Sequence, residues 1–388
     1  MPIPKFRKHI VATFDNSLFG GDINTLSTVG DINGDGRPDL VVSGRSGQMA
    51  WFENPGQLGA WKMHLVDHVK HQECGGSLAT LTGSRKLDII NGSDWQGHDI
   101  SWWQNPGGSG LWQRRVIYHT GKGQFHDTII GDVGDGRLSL VFDNQEGGTA
   151  IYKVPIPADP TVSPWPNVEV IASGMKEDNP TSSWNPEKWQ PEEGLAIGDV
   201  DNDGINEVVA GTHWFKLTPS GWVGHKFASG YITNKIAIGD VDGDGKNEIV
   251  LSEGDPVIYG KKQGGKLGWF KPGEDILSLW IEHVVDDGLL EAHSLVLADL
   301  CGSGRLDIFC AEIGAVGADD LYILRPPFLA IYENLGNGKF QRHVIDEGTG
   351  THEAVLVDAF NTGRLDIIGK PLHGPEKWDL HVWENLGF

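Results

Sequence analysis

The chain has 388 residues, among them 54 glycines, 20 prolines and 15 tryptophans, and a formal net charge of −22. That charge excludes nucleic acid and an anionic membrane surface as partners, because counterion release from a polyanion needs a basic patch. The glycine content, with no long apolar period of 3.6 residues and no run of 18 or more apolar residues, excludes a helical or membrane-spanning chain and predicts short strands joined by tight turns.

In chain order, Met1-Pro2-Ile3-Pro4-Lys5 lacks the apolar stretch of a secretion signal, so the expected location is the cytoplasm, or outside the cell after trimming of a leader. Phe6-Arg7-Lys8-His9-Ile10-Val11 then reads as a lone strand that ends in an aromatic-x-x-His phrase. The first full unit follows. An apolar strand leads into Gly30-Asp31-Ile32-Asn33-Gly34-Asp35-Gly36-Arg37-Pro38-Asp39, a second strand continues as Leu40-Val41-Val42, a third runs from Trp51 to Gly56, and a fourth contains Trp61-Lys62-Met63-His64. The acidic phrase recurs from Gly198 to Val209 and from Gly239 to Val250, with weaker copies near Thr80, Asp132, Asp299 and Asp358. Seven copies give a period of about 55 residues, close to that of four-stranded propeller blades.

The last unit ends at Trp383-Glu384-Asn385-Leu386-Gly387-Phe388 without its fourth strand, and the N-terminal phrase supplies it. The expected fold is therefore an all-β, seven-bladed β-propeller over residues 1–388, one domain, closed by its N-terminal strand. These motifs resemble the FG-GAP or VCBS repeat family, whose members are seven-bladed propellers, and the resemblance covers the whole chain.

In the acidic loop, oxygen-bearing side chains fall on alternate positions, a glycine allows the sharp turn, and a carboxylate follows, a spacing that wraps a hard cation such as Ca²⁺. Full sets are Asp31, Asn33, Asp35 and Asp39; Asp199, Asp201, Asp203 and Glu207; and Asp240, Asp242, Asp244 and Glu248. The other reading is a metal-free turn with aspartates capping backbone N–H groups. Both are structural. Histidines 9, 64, 225, 283 and 343 share one repeat position and are assigned a common packing role, while Cys74, Cys301 and Cys310 form no CxxC pair and are read as buried free thiols.

Stepping back six residues from the first Asp of each loop reaches the start of the innermost strand: Thr25, Cys74, His126, Glu193, Asn234, His293 and His352. Three histidines and a glutamate thus converge on one axis. His126, Glu193, His293 and His352 suit a divalent transition metal or Mg²⁺; a hydrogen-bonded, water-filled lining is the alternative. The loops around this mouth hold His71, Glu73, Trp95, Lys122, Trp184, Lys188, Trp189, Trp214, Tyr259, Lys262, Lys370 and His373. Aromatic faces beside cations and carboxylates suit a saccharide.

The segment Glu291-Ala292-His293-Ser294-Leu295-Val296-Leu297-Ala298-Asp299 and the Trp-Phe-Glu-Asn-Pro-Gly phrase are similar to the propeller of the aldos-2-ulose dehydratases and to lyases that release rhamnose from glucuronate. The resemblance implies β-elimination from a uronate or keto-sugar, with His126, His293, His352 and, more loosely, His71 as bases or ligands. The expected protein is a carbohydrate-active lyase or dehydratase, a monomer or small homo-oligomer. The alternative is a sugar-binding or adhesion propeller without chemistry. Glycoside hydrolysis is disfavoured, because Glu193 is the single carboxylate of the inner ring; the adjacent Glu73, Asp127 and Glu353 keep it open.

Overall fold

A computed structural model describes residues 2–83, 86–108, 110–121, 123–145, 149–175 and 193–388. The described residues form seven four-stranded antiparallel sheets, the blades, each with strands a to d from the axis outward. The a strands are Asn24–Gly30, Ser77–Ala79, Thr128–Asp132, Leu195–Gly198, Asn234–Gly239, Ala292–Ala298 and His352–Val357. Each touches the a strand of the next blade, and the last touches the first, which closes the ring. Among the described residues no helix is long and apolar enough to cross a membrane.

Closure follows the expected route. Phe6–Thr13 is strand d of blade 7 and pairs antiparallel with Asp379–Asn385, Phe6 opposite Asn385 and Thr13 opposite Asp379. This covers a C-terminal edge that would otherwise expose unpaired backbone groups. A short 3₁₀ turn, Asn16–Phe19, capped by Asp15, carries the chain from the rim to the first inner strand.

Among the described residues the core is divided into seven apolar clusters, one between each pair of neighbouring blades, because every inner sheet has two buried faces. Val11, Phe14, Ile368 and Leu380 of blade 7, for example, pack on Leu40, Val42 and Phe52 of blade 1. The shared histidine position is a packing device. His64, His225 and His283 on strand d sit over Trp51, Trp214 and Trp269 of the paired strand c, with ring centroids 4.1, 4.6 and 3.9 Å apart. His9, His64 and His343 also contact Glu384, Glu53 and Glu333 at 3.0, 2.7 and 3.0 Å.

An asparagine near the end of strand c ties blades together. Asn54 accepts no slack: its amide nitrogen donates to the carbonyl of Ala359 in blade 7, 2.8 Å away. Asn105 reaches Ile32 of blade 1 and Asn334 reaches Val241 of blade 5 in the same way, at 2.9 and 2.8 Å. The carboxylate that ends each of these acidic loops holds the asparagine in place. Asp39 accepts the Asn54 backbone N–H on one oxygen and the Ile32 N–H on the other.

Candidate functional site

A cavity of about 630 Å³ opens on the axis where the inner strands begin. Thr25, Cys74, His126, Glu193, His293 and His352 all line it, so six of the seven ring positions read from the repeat converge there. Asn234, the seventh, is buried in the same ring. The ring is tight. A Cβ on Gly75, the residue after Cys74, would lie 2.1 Å from the carbonyl oxygen of His126, and Gly75 sits at φ +66°, so glycine alone fits. Around the mouth the non-glycine residues His71, Thr233, Glu291 and Glu353 also adopt positive φ, between 47° and 58°; backbone strain of this kind costs about 1–3 kcal/mol each and concentrates where side chains must be aimed.

The three ring histidines have different surroundings. His126 Nδ1 donates to Asp127 Oδ2 at 2.9 Å, while its Nε2 lies 3.0 Å from Cys74 Sγ and 3.5 Å from Glu193 Oε2. Burial by itself would lower its pKa, but Cys74, Glu193 and Asp127 outweigh burial and hold His126 well above the usual histidine range. His293 and His352 are the reverse case: burial, aided by Lys235 for one and Lys370 for the other, holds both well below that range, so they are neutral at pH 7. Their rings stack with centroids 5.2 Å apart. His293 Nδ1 donates to the Glu291 carbonyl at 3.3 Å, which leaves its Nε2 lone pair toward Asp255 Oδ1 at 3.5 Å. His352 Nδ1 is buried, makes no hydrogen bond and lies 3.7 Å from Glu353 Oε2.

Among the described residues, two groups of ligand-type atoms form at this mouth, and two more lie in the acidic loops of blades 4 and 5. Glu193, Asp255 and His293 bring one such atom each within 4.8 Å of one another, and so do Cys74, His352 and Glu353. Glu193 Oε2 is buried without a hydrogen-bond partner, and Asp255 is pushed up to about 7 by burial and then by the Glu193 charge. Two carboxylates and an imidazole with an uncommitted lone pair fit a divalent cation. The four-residue set expected from the sequence is therefore divided: Glu193 and His293 share one group with Asp255, His352 belongs to the other, and His126 is engaged by Cys74 and Asp127.

The rim residues also separate. Trp95, Tyr259 and His373 line the cavity, with Trp95 51% exposed and the Arg45 guanidinium 4.6 Å above its ring. Arg45 in turn bridges both oxygens of Glu73, at 3.0 and 3.2 Å. His71 does not line the cavity; its Nδ1 faces Asp94 Oδ1 at 3.5 Å. Trp214 is not at the mouth at all. It is 1% exposed in the core between blades 4 and 5, because it occupies the strand-c position that Trp51 and Trp269 hold. Lys262 is exposed and lines no part of the cavity. Lys370 is fully buried opposite His352, donates to the Asn24 carbonyl at 2.7 Å and is lowered to about 8 by burial, against the pull of Glu353. Lys122, Trp184, Lys188 and Trp189 lie outside the described residues.

Sequence reasoning missed Asp255 and the partnership of Cys74. Asp255 sits on the loop after strand b of blade 5, outside the inner-strand register, and no motif marks it. Cys74 was visible as a ring member but set aside with the other thiols.

Residues 17–48, which span the first inner strand and its acidic loop, match the FG-GAP repeat. The match covers this one unit of the chain. No curated protein matches the sequence. Among solved structures, BBS1N in complex with ARL6DN, soaked with mercury, aligns with this propeller at a TM-score of 0.55 and 9% identity, over 97% of this chain and 96% of that one. The same complex soaked with lead aligns at 0.51 and 12%, over 97% and 96%. Rhamnogalacturonan lyase YesW aligns at 0.48 and 13%, over 99% and 75%. At these identities the likeness to the first two is one of fold alone.

The acidic loops lie at the other end of the ring. Asp31 accepts the N–H groups of Gly34, Asp35 and Gly36 at 2.8–3.0 Å, Asp240 those of Gly243, Asp244 and Gly245, and Asp199 those of Asp203 and Gly204. Asp35 pairs with Arg37. In blades 4 and 5 the terminal glutamates each use one oxygen, Glu207 on Val200 N–H and Glu248 on Val241 N–H, both at 3.0 Å. The second oxygen of each is buried and makes no hydrogen bond.

Proposed function

We propose that this propeller is a carbohydrate-active lyase or dehydratase that performs β-elimination on a uronate-containing or keto-sugar at the channel mouth. One observation carries this reading: a neutral histidine, a histidine held charged, and a carboxylate cluster with an unpartnered oxygen face the same cavity. Elimination needs a base for the proton α to a carbonyl or carboxylate and an acid for the departing β-oxygen. His352, which lines the cavity and is held neutral, is assigned the first task. As it takes the proton, the C–O bond at the β carbon breaks, a C=C bond forms, and the leaving oxygen receives a proton from His126, which Asp127 orients. Glu193, Asp255 and His293 would hold a divalent cation, which supplies positive charge for the substrate carboxylate or developing enolate oxygen. Trp95 and Tyr259 offer stacking faces at the rim, and Arg45 and His373 offer polar contacts.

The test is to screen uronate-containing oligosaccharides and keto-sugars for new absorbance from a conjugated C=C bond. His352→Ala and His126→Ala are expected to abolish it while the thermal unfolding midpoint stays close to that of the wild type. Undiminished turnover in either variant, or cleavage that yields saturated ends, overturns the proposed chemistry. Saccharide binding that depends on Trp95 and is indifferent to both histidines would favour the non-catalytic sugar-binding alternative.

A further inference from the structure

One position near the end of strand c divides the blades into two kinds. It is Glu53, Gln104, Glu333 and Glu384 in blades 1, 2, 6 and 7, each followed by asparagine, and Lys153, Lys216 and Lys271 in blades 3, 4 and 5, none followed by asparagine. Where glutamate stands there, it turns outward to the strand-d histidine. Where lysine stands there, it turns into the acidic loop. Lys216 Nζ contacts Asp201 Oδ2, lies 2.6 Å from Asp203 Oδ2 and faces Glu207 Oε1 at 3.3 Å. Lys271 Nζ contacts Asp242 Oδ2, lies 2.6 Å from Asp244 Oδ2 and faces Glu248 Oε1 at 4.0 Å. Lys153 reaches Asp135 in blade 3.

The second and third loop carboxylates and the terminal one are the groups whose oxygens a divalent ion would gather, and in blades 4 and 5 all three point at one ammonium. The terminal position changes with it. Blades 1, 2, 6 and 7 end the loop in aspartate, whose two oxygens are consumed by backbone N–H groups of the loop and of the asparagine. Blades 4 and 5 end it in glutamate, which has no asparagine to hold. Its Oε1 is buried without a hydrogen bond and left to the lysine.

We propose that Lys216 and Lys271 are tethered cations that occupy the ion position of the acidic loops in blades 4 and 5, so that these loops do not take calcium in the native protein. An ammonium on a four-carbon stem is a compact charge that satisfies several carboxylates from the adjacent strand, and it is present at any calcium concentration. In both lysines burial opposes the charge, and the aspartates outweigh it and push the pKa up.

Calcium is titrated calorimetrically into metal-stripped wild type, Glu207→Gln, Glu248→Gln, Lys216→Met and Lys271→Met, with thermal melts in calcium and in chelator. The wild-type stoichiometry is expected to survive both glutamate substitutions. Each Lys→Met variant is expected to gain one binding event and a calcium-dependent unfolding midpoint. Loss of a wild-type site in either glutamate variant overturns the proposal, as does a folded Lys→Met variant that gains neither binding nor calcium-dependent stability. If a Lys→Met variant does not accumulate folded, refolding from denaturant decides: recovery only with calcium supports the tethered cation, and equal failure with and without calcium overturns it.

Discussion

His293 and His352 share a ring position with His126 yet differ from it in charge, because their neighbours differ. Burial disfavours the imidazolium in all three; beside His126 the Asp127 and Glu193 carboxylates reverse the outcome, and beside His352 the buried Lys370 ammonium reinforces it. A base with a lowered pKa stays unprotonated as pH falls through the ordinary histidine range, so the acid limb of kcat/KM is expected below that range. Lys370→Met removes the positive charge, raises the His352 pKa and should move the limb to higher pH; activity lost with an unmoved limb would reduce Lys370 to a packing role. The same depression makes both histidines a stability liability in acid. Their contribution is present above the unfolded-state value of 6.5 and is lost as pH falls through the folded-state values. Two tryptophans give a second contrast. Trp214→Ala should cost about 3–5 kcal/mol of stability by chemical denaturation, whereas Trp95→Ala should leave the unfolding midpoint nearly unchanged and raise KM.

Within a blade, the coupled unit is strand c with the end of the acidic loop. The Asp88 carboxylate holds the Asn105 backbone N–H at 2.7 Å, and the Asn105 amide bridges to blade 1. Asn105→Ala leaves the buried carbonyl of Ile32 and the half-buried one of Leu87 without this donor, and a loss of about 1–3 kcal/mol is expected in denaturant unfolding. The divergence of blades 4 and 5 at this place shows why a loop motif cannot be read alone. The occupant of the loop is decided by a residue on a neighbouring strand.

For the whole molecule, the ring brings together residues from blades spread over almost the full chain, and the site depends on its closure. Phe6–Thr13 covers the outer edge of blade 7, and Val11 and Phe14 enter the cluster shared with blade 1. Removing residues 2–13 should lower the unfolding midpoint and promote association through the bared Asp379–Asn385 edge, and a synthetic strand of residues 5–14 added in trans should restore part of the loss. A truncated chain that melts like the full one would show that closure contributes little.

Repetition determined much of this from the sequence alone. Strand order, the number of blades, the closing strand and the inner ring from Thr25 to His352 follow from spacing, because each blade repeats one local pattern whose register sets which side chain faces the axis. From the sequence Trp214 is expected at the mouth, and the structure buries it; the repeat carried the signal, since Trp-Phe occurs at the same place in Trp51-Phe52 and Trp269-Phe270. Other features needed the tertiary structure. Asp255 joins Glu193 and His293 only through the path of an irregular loop, Cys74 meets His126 only across a blade boundary, and the lysines find the acidic loops only across a strand pair. Local periodicity sets where a side chain starts, but the distances and charges around it, which decide its protonation and its ligands, come from residues brought near by the closed ring.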